Sequence, residues 1–192
     1  MNQKIKTIVI FAALVIVIGG SSIAYSLLKD QTASKNIKDI VKDGITASGE
    51  ERERVPAPDF KVTDQDGNQV MLSSLFGKPI VLNFWASWCP PCKAEMPNFN
   101  KVYKEVKNDF TFMMVDLVDG QRETVTTGKT YIQNQGYEFP VYFDVDQEAA
   151  DAYSISSIPT TLFIDSNGMV AAGYTGAISE NTLLESIDLI KD

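Results

Sequence analysis

The chain has 192 residues, of which 44% are hydrophobic and 22% charged, a composition that excludes disordered and low-complexity proteins. Its formal net charge is −8, which argues against a nucleic-acid-binding protein, because such proteins normally carry a basic surface. It contains no histidine, so the commonest general base and metal ligand is missing. Any chemistry therefore depends on carboxylates, hydroxyls, backbone groups and the two cysteines, Cys89 and Cys92.

An uncharged apolar run extends from residue 8 to residue 28, and two lysines precede it. About 20 apolar residues are enough for a helix to cross the hydrocarbon core of a membrane. Lysines in a short leading segment favour a cytoplasmic N-terminus, so that the rest of the chain lies outside. We therefore predict a membrane anchor or signal segment over residues 1–29, and we prefer an uncleaved transmembrane helix. A signal peptide that is cleaved near residues 22–24 is the alternative.

The rest of the chain divides into a linker and a domain. Residues 30–54 are polar and are predicted to form a solvated linker. Residues 55–192 are long enough for a single domain. Short apolar runs at Ile80–Phe84 and Thr111–Val115 predict strands buried on both faces, and apolar residues at helical spacing between them predict an amphipathic helix. This order of strand, helix and strand implies a crossover connection and parallel pairing.

Two hairpins and further helices complete the predicted elements. Turn residues at 64–67 and at 166–168 each separate two extended segments and predict a hairpin. Helical stretches are predicted weakly around Tyr131–Ile132 and more strongly at Gln147–Tyr153, and a C-terminal helix is predicted to be capped by Ser179. The predicted fold class is α/β, with a mixed central sheet flanked by helices.

Both cysteines lie where the first buried strand gives way to a helix, in the stretch Trp88-Cys89-Pro90-Pro91-Cys92. Backbone N–H groups at a helix start are unpaired and the helix dipole is positive there, so a thiolate at Cys89 is stabilised. Proline is tolerated in the first helical turn and stiffens it. Two thiols at this spacing can close a small disulfide. We predict that Cys89 is the attacking nucleophile and that Cys92 resolves the mixed disulfide.

Other uses of a Cys-x-x-Cys pair are less well supported. A zinc site needs about four ligands, and the chain has neither a second pair nor a histidine. A structural disulfide that closes so short a loop stabilises little. A peroxidase would need a reactive cysteine outside the pair. We therefore predict a redox site with no metal and no cofactor, and the alternative is a non-catalytic binding or metal-handling module. The carboxylates Asp116 and Asp119 are expected to end a strand rather than to line a cleft.

Three stretches resemble the thioredoxin superfamily and, within it, the membrane-tethered, extracytoplasmic TlpA/ResA-like branch. They are Ala57-Pro58-Asp59-Phe60, residues 81–97 (VLNFWASWCPPCKAEMP) and residues 157–168 (SIPTTLFIDSNG). The resemblance implies a thioredoxin fold with an N-terminal β-hairpin extension, placed after an N-terminal transmembrane helix. It further implies an extracytoplasmic thiol–disulfide oxidoreductase that acts on exported proteins, as a reductant rather than an oxidant. A membrane redox partner would supply or remove the electrons.

The resemblance also assigns roles to residues around the cysteines. Pro159 matches the family's cis-proline, which lies beside the active disulfide, and Ile158 would face the sulfurs. Trp88 matches the aromatic residue that flanks the nucleophile. Together with Pro90 and Pro91, these residues are predicted to bind the substrate. The alternatives are an ordinary proline at a strand start for Pro159 and packing at a surface edge for Trp88.

Glu95, three residues after the second cysteine, matches a glutamate of the TlpA/ResA-like branch. Cytoplasmic thioredoxins carry a buried aspartate at the position of Asn83, so the chain departs from that pattern. Residues three apart on a helix are neighbours, so Glu95 can lie beside Cys92. A partly desolvated carboxylate there has a raised pKa and can exchange a proton with the resolving thiol. The alternative for Glu95 is a solvated side chain near the helix start.

Overall fold

The computed structural model describes residues 54–191, which form an eight-stranded mixed β-sheet with helices packed on it. Its strands are β1 (Val55–Pro56), β2 (Lys61–Thr63), β3 (Gln69–Met71), β4 (Ile80–Trp85), β5 (Thr111–Asp116), β6 (Val141–Phe143), β7 (Thr160–Ile164) and β8 (Met169–Thr175). Its helices are α1 (Pro90–Val106), α2 (Val125–Gln135), α3 (Glu148–Ala152) and α4 (Glu180–Leu189), with a 3-10 turn at Leu72–Leu75.

The predicted membrane segment at residues 1–29 lies outside the described residues, as does all of the predicted linker except Arg54. Within residues 54–191, no helix combines the length and the apolar character that a membrane crossing requires.

The strands lie in the order β1-β8-β7-β4-β5-β6-β2-β3. Strand β4 pairs in parallel with β5, and the intervening helix α1 makes the predicted crossover connection. Strand β7 pairs antiparallel with β4 on its other side. The two predicted hairpins are confirmed as the antiparallel pairs β2–β3 and β7–β8. The result is the mixed sheet with flanking helices that the sequence predicts.

Strand β4 is central because both of its faces are covered. All six of its residues are buried, and alternate side chains point to opposite faces of the sheet. Val81 and Trp85 pack into one core, which also receives the inner face of α1. Ile80, Leu82 and Phe84 pack into a second core on the opposite face. The chain that leaves β4 toward Cys89 therefore starts from a rigid strand.

The helices after β5 follow their local caps more closely than their apolar spacing. The weakly predicted stretch around Tyr131–Ile132 belongs to the longer helix α2, which begins with a reciprocal capping box between Thr124 and Thr127 and ends at Gly136. The stretch Gln147–Tyr153, for which a short helix is predicted, forms the short helix α3. Ser179 caps α4 as predicted, because its Oγ accepts the N–H of Thr182 at 3.1 Å.

Gly168 and Gly136 form a matched pair for testing a close contact in the second hairpin. Both have a left-handed backbone, with φ of +79° and +67°. A β-carbon on Gly168 would lie 2.6 Å from the Phe76 ring, whereas one on Gly136 would meet nothing within 4 Å. We expect G136A to lower the free energy of unfolding by about 1–2 kcal/mol. G168A should lower it by about a further 1–3 kcal/mol because of the overlap.

Urea unfolding of the two variants measures this difference. In an F76A background the overlap is gone, so G168A should then cost no more than G136A. Equal losses for G168A and G136A in the presence of Phe76 would contradict the expected contact.

Candidate active site

Cys89 and Cys92 form a disulfide at the N-terminus of α1. Cys89 is the N-cap residue, and its Sγ accepts a hydrogen bond from the backbone N–H of Cys92 at 3.3 Å. Pro90 and Pro91 occupy the first helical positions, where an N–H would have no partner within the helix. The N–H of Cys89 in turn donates to the carbonyl of Ala86 at 3.2 Å. Strand end, loop and helix start thus position both sulfurs through the backbone.

Both cysteines are close to fully buried in the oxidised form. Cys89 is 2% exposed and Cys92 is 0% exposed, and both belong to the core on the α1 side of the sheet. Cys89 is the more exposed of the two, as predicted, but the difference in exposed fraction is small. Among residues 54–191, the packing leaves the disulfide accessible only at the edge of Cys89.

The Ile158–Pro159 peptide bond is cis, as the resemblance implies, and it lies beside the disulfide. The carbonyl oxygen of Ile158 is 3.7 Å from the Sγ of Cys89. The carbonyl of Pro159 accepts the N–H of Gly176 at 2.8 Å, which ties this segment to the chain that follows β8. The structure thus brings Ile158 and Pro159 next to Cys89, although Cys89 is far from both in the sequence.

An exposed face surrounds the disulfide. Trp88 is 39% exposed, and Pro90 and Pro91 are also exposed. The guanidinium of Arg122 lies 3.9 Å above the Trp88 ring and forms an ion pair with Asp119 at 3.5 Å. The exposed surface at Trp88 therefore consists of an apolar ring covered on one side by the cationic guanidinium of Arg122. Arg122 is not among the residues predicted for the site, because no local pattern marks a side chain that reaches the site from a distant loop.

Glu95 is buried, so the solvated alternative for this side chain is wrong. It is 2% exposed, its Oε1 accepts from Asn83 Nδ2 at 2.9 Å and its Oε2 accepts from the N–H of Ile178 at 2.9 Å. Asn83 also donates to Thr161 Oγ1 at 2.9 Å. Burial raises the pKa of Glu95 to about 7, and the two hydrogen bonds oppose that rise. A carboxyl with this pKa can take up or release a proton near neutral pH.

A pair of buried carboxyls, separate from Glu95, lies near the loop before Cys89. Asp116 ends β5, as predicted, and it is fully buried, as is Glu123. Glu123 Oε2 accepts hydrogen bonds from both the N–H and the Oγ–H of Ser87, each at 2.8 Å. Glu123 is not among the predicted site residues, because no local pattern marks its contact with the distant Ser87. Among residues 54–191, no group of three or more acidic or cysteine side chains is arranged to hold a metal ion.

The sequence and fold are similar to those of known proteins. The AhpC/TSA family model matches residues 54–172. The thiol-disulfide oxidoreductase ResA of Bacillus subtilis is 36% identical over 135 residues, which cover 70% of this chain and 74% of that protein. The crystal structure of StoA from Bacillus subtilis has a TM-score of 0.59 and 28% identity, and the match covers 69% of this chain and 97% of that chain. The pneumococcal exposed lipoprotein thioredoxin from Streptococcus pneumoniae has a TM-score of 0.60 and 28% identity, with 68% and 98% covered.

The pKa of Glu95 predicts how stability depends on pH. The folded protein binds this proton more tightly than the unfolded chain, whose glutamate pKa is 4.5. The resulting stabilisation is therefore complete below about pH 4.5 and is lost as pH rises through about 7. Relative to E95Q, the wild-type protein should lose about 3 kcal/mol of unfolding free energy over this range.

Urea unfolding of the oxidised protein at several pH values tests this expectation. The quantity compared is the change with pH, because E95Q also replaces one hydrogen-bond acceptor by a donor at every pH. E105Q, at an exposed glutamate of the same helix, is the matched control and should follow the wild-type curve. Parallel curves for the wild type and E95Q would rule out a titrating Glu95.

Proposed function

Because the chain belongs to the AhpC/TSA family of thioredoxin-like proteins and is a thiol–disulfide oxidoreductase, we propose that it reduces disulfides of exported proteins outside the cytoplasmic membrane, through Cys89 and Cys92. One observation carries the proposal, namely the disulfide across the first turn of α1, whose Cys89 Sγ lies 3.7 Å from the carbonyl of Ile158. Thiol–disulfide exchange at such a pair uses only the two sulfurs and a proton acceptor.

The proposed reaction begins with the reduced pair. The Cys89 thiolate attacks one sulfur of a substrate disulfide, the substrate S–S bond breaks, and one substrate thiolate leaves. The enzyme and the substrate are then joined by a mixed disulfide. Cys92 loses its proton and attacks Cys89 Sγ, which releases the second substrate thiolate and closes the Cys89–Cys92 disulfide. Two electrons have passed to the substrate, and a membrane redox partner must return two electrons to the enzyme.

Glu95 is proposed to accept the proton of Cys92. The two residues are three apart on α1, both are buried, and burial raises the pKa of Glu95 to about 7. A buried thiol needs such an acceptor, because water has little access to it. The hydrogen bonds from Asn83 and Ile178 leave Glu95 able to exist in either protonation state near neutral pH.

The substrate is proposed to bind across the exposed face around Cys89. Trp88, Pro90 and Pro91 offer apolar surface there, and Ile158 and Pro159 lie on the other side of the disulfide. A substrate segment seated between them would place its own disulfide at the only exposed edge of the sulfur pair.

The proposed location rests on the sequence and on the relatives. The apolar run at residues 8–28, with its two leading lysines, supports an uncleaved anchor with the domain outside. A structurally similar protein of Streptococcus pneumoniae is described as an exposed lipoprotein. We propose that residues 1–29 anchor the chain in the cytoplasmic membrane; secretion after signal cleavage is the alternative.

Replacement of Cys92 by serine tests the order of the two attacks. C92S should accumulate substrate proteins as disulfide-linked adducts on Cys89, because the resolving thiol is gone. C89S should trap far fewer, since Cys92 is fully buried. Non-reducing electrophoresis of cells that express each full-length variant gives the comparison. Equal trapping by both variants would refute the assigned roles, and absence of both trapping and insulin-disulfide reduction would favour a non-catalytic binding module.

Labelling with a membrane-impermeant maleimide tests location and direction together. The chain has only two cysteines, so any label reports the redox site. After mild reduction of intact cells, the full-length protein should be labelled without permeabilisation if the domain is outside. Without prior reduction, labelling should persist if the protein acts as a reductant, since it is then held reduced. Labelling that requires permeabilised cells would contradict the location, and C89S/C92S is the background control.

A further inference from the structure

The carboxyl of Asp116 lies in an unusual environment at the end of β5. The residue is fully buried, and no donor group within the described part of the chain reaches either carboxyl oxygen. Its pairing partners in the sheet are Trp85 of β4 and Phe143 of β6, neither of which carries a charge. An ionised carboxylate in this position would lack all compensation for the hydration that it loses on burial. The side chain is therefore suited to the neutral, protonated form.

Helix α2 packs directly against this carboxyl through a glycine. A β-carbon on Gly128 would overlap Asp116 Oδ2 and would lie 3.0 Å from Asp116 Cγ. Glycine inside a helix costs about 1 kcal/mol relative to alanine. Gly128 has an ordinary helical backbone, so its lack of a side chain serves this close approach rather than a turn. The fold thus keeps a space for the Asp116 carboxyl.

Glu123, the neighbour of Asp116, has the opposite environment. It is also fully buried, but its oxygens accept from the N–H and Oγ–H of Ser87 and from Thr127 Oγ1 at 3.0 Å. It also lies next to the N-terminus of α2, where the helix dipole favours a negative charge. These contacts suit the ionised form. Asp116 Oδ2 packs against Gly128, and Glu123 Oε1 accepts from Thr127, the preceding residue of α2, so both carboxyls lie at the same turn of this helix. A protonated Asp116 is therefore placed to donate a hydrogen bond to the Glu123 carboxylate.

Ser87 connects the carboxyl pair with the redox site. It lies in the loop between β4 and α1, two residues before Cys89, and both of its donor groups bind the same oxygen of Glu123. Glu123 therefore joins this loop to the start of α2. We propose that Asp116 and Glu123 share one proton and act as a positioning pair that holds the loop before Cys89 for attack on a disulfide. This inference rests on the proposed function of the Cys89 site.

The pair should come apart when its shared proton is lost. Burial and the adjacent Glu123 charge raise the pKa of Asp116 to about 9. Asp119 raises that pKa further, and Arg122 is paired with Asp119. From the neighbouring elements, the buried Asp144 donates its backbone N–H to the carbonyl of Asp116, and Lys129 of α2 lies over the ring of Phe143. Above about pH 9, two buried negative charges would face each other without a proton between them, and repulsion would loosen the hold on Ser87. Exchange should then slow, although thiol ionisation by itself makes it faster.

The first experiment compares D116N with the wild type. The reduced full-length protein is mixed in mild detergent with Ellman's reagent, and the second-order rate is followed from about pH 6 to about pH 10. The wild-type rate should rise and then fall above about pH 9, whereas D116N should not fall, because its amide can donate to Glu123 at every pH. D109N, at an exposed aspartate, should follow the wild type. An identical alkaline fall in D116N would overturn the proposal.

The second experiment tests the hold on the loop. E123A should react about 10- to 100-fold more slowly near pH 7, because a small displacement of an attacking group costs this much. E123Q keeps an oxygen that can accept from Ser87 and should recover most of the rate. S87A keeps the backbone N–H bond to Glu123 and should lose less than E123A. Circular dichroism checks that each variant is folded. A folded E123A variant that reacts at the wild-type rate would overturn the proposal.

An infrared measurement separates this inference from the proposed function. In the oxidised protein no thiol titrates, so a protonated-carboxyl band that persists at about pH 8 and disappears near pH 9 reports Asp116. The band should be absent in D116N and present in E95Q. If the wild-type protein exchanges no disulfides but shows this band, the proposed function fails and the shared proton stands. If the wild-type protein exchanges disulfides but D116N retains the band, the proposed positioning pair is wrong and the proposed function stands.

Discussion

The site depends on the N-terminus of α1, where a sulfur takes the place of the usual capping oxygen. The Cys92 N–H donates to Cys89 Sγ at 3.3 Å, and the adjacent prolines remove two further N–H groups that would lack partners. The Cys92 N–H and the positive end of the helix dipole favour a negative sulfur at this point. This geometry requires a fixed helix start, which the central strand β4 provides, since neighbouring strands and two cores hold every one of its residues.

Buried carboxyls lie on two sides of this helix start, and the hydrogen bonds that each one accepts determine how far burial raises its pKa. Glu95 accepts from a side-chain amide and a backbone N–H, so burial raises its pKa only to about 7. Asp116 receives no hydrogen bond from a described donor and adjoins a second acid, so its pKa rises to about 9. Equal burial thus gives one group that titrates near neutrality and one that keeps its proton through the neutral range. The first suits proton transfer, and the second suits a fixed contact.

The exposed face around the disulfide is the proposed substrate-binding surface. Its groups include an indole, two proline rings and the guanidinium stacked on the indole. Such groups lose little hydration when covered, because apolar rings and a stacked guanidinium are only weakly hydrated. Acidic side chains elsewhere on the surface favour solubility.

Sequence alone determined the features that arise from residues close together in the chain. Apolar periodicity located β4, β5 and α1, turn residues located both hairpins, and the two cysteines defined the helix start. Tertiary structure decided the environment of Glu95, the contact of Arg122 with Trp88, and the meeting of Asp116, Glu123 and Ser87. The parallel pairing of β4 with β5 brings the two strand ends to the same edge of the sheet, so loops far apart in the sequence become neighbours. No local pattern encodes that proximity, because it depends on which strands pair and in which register.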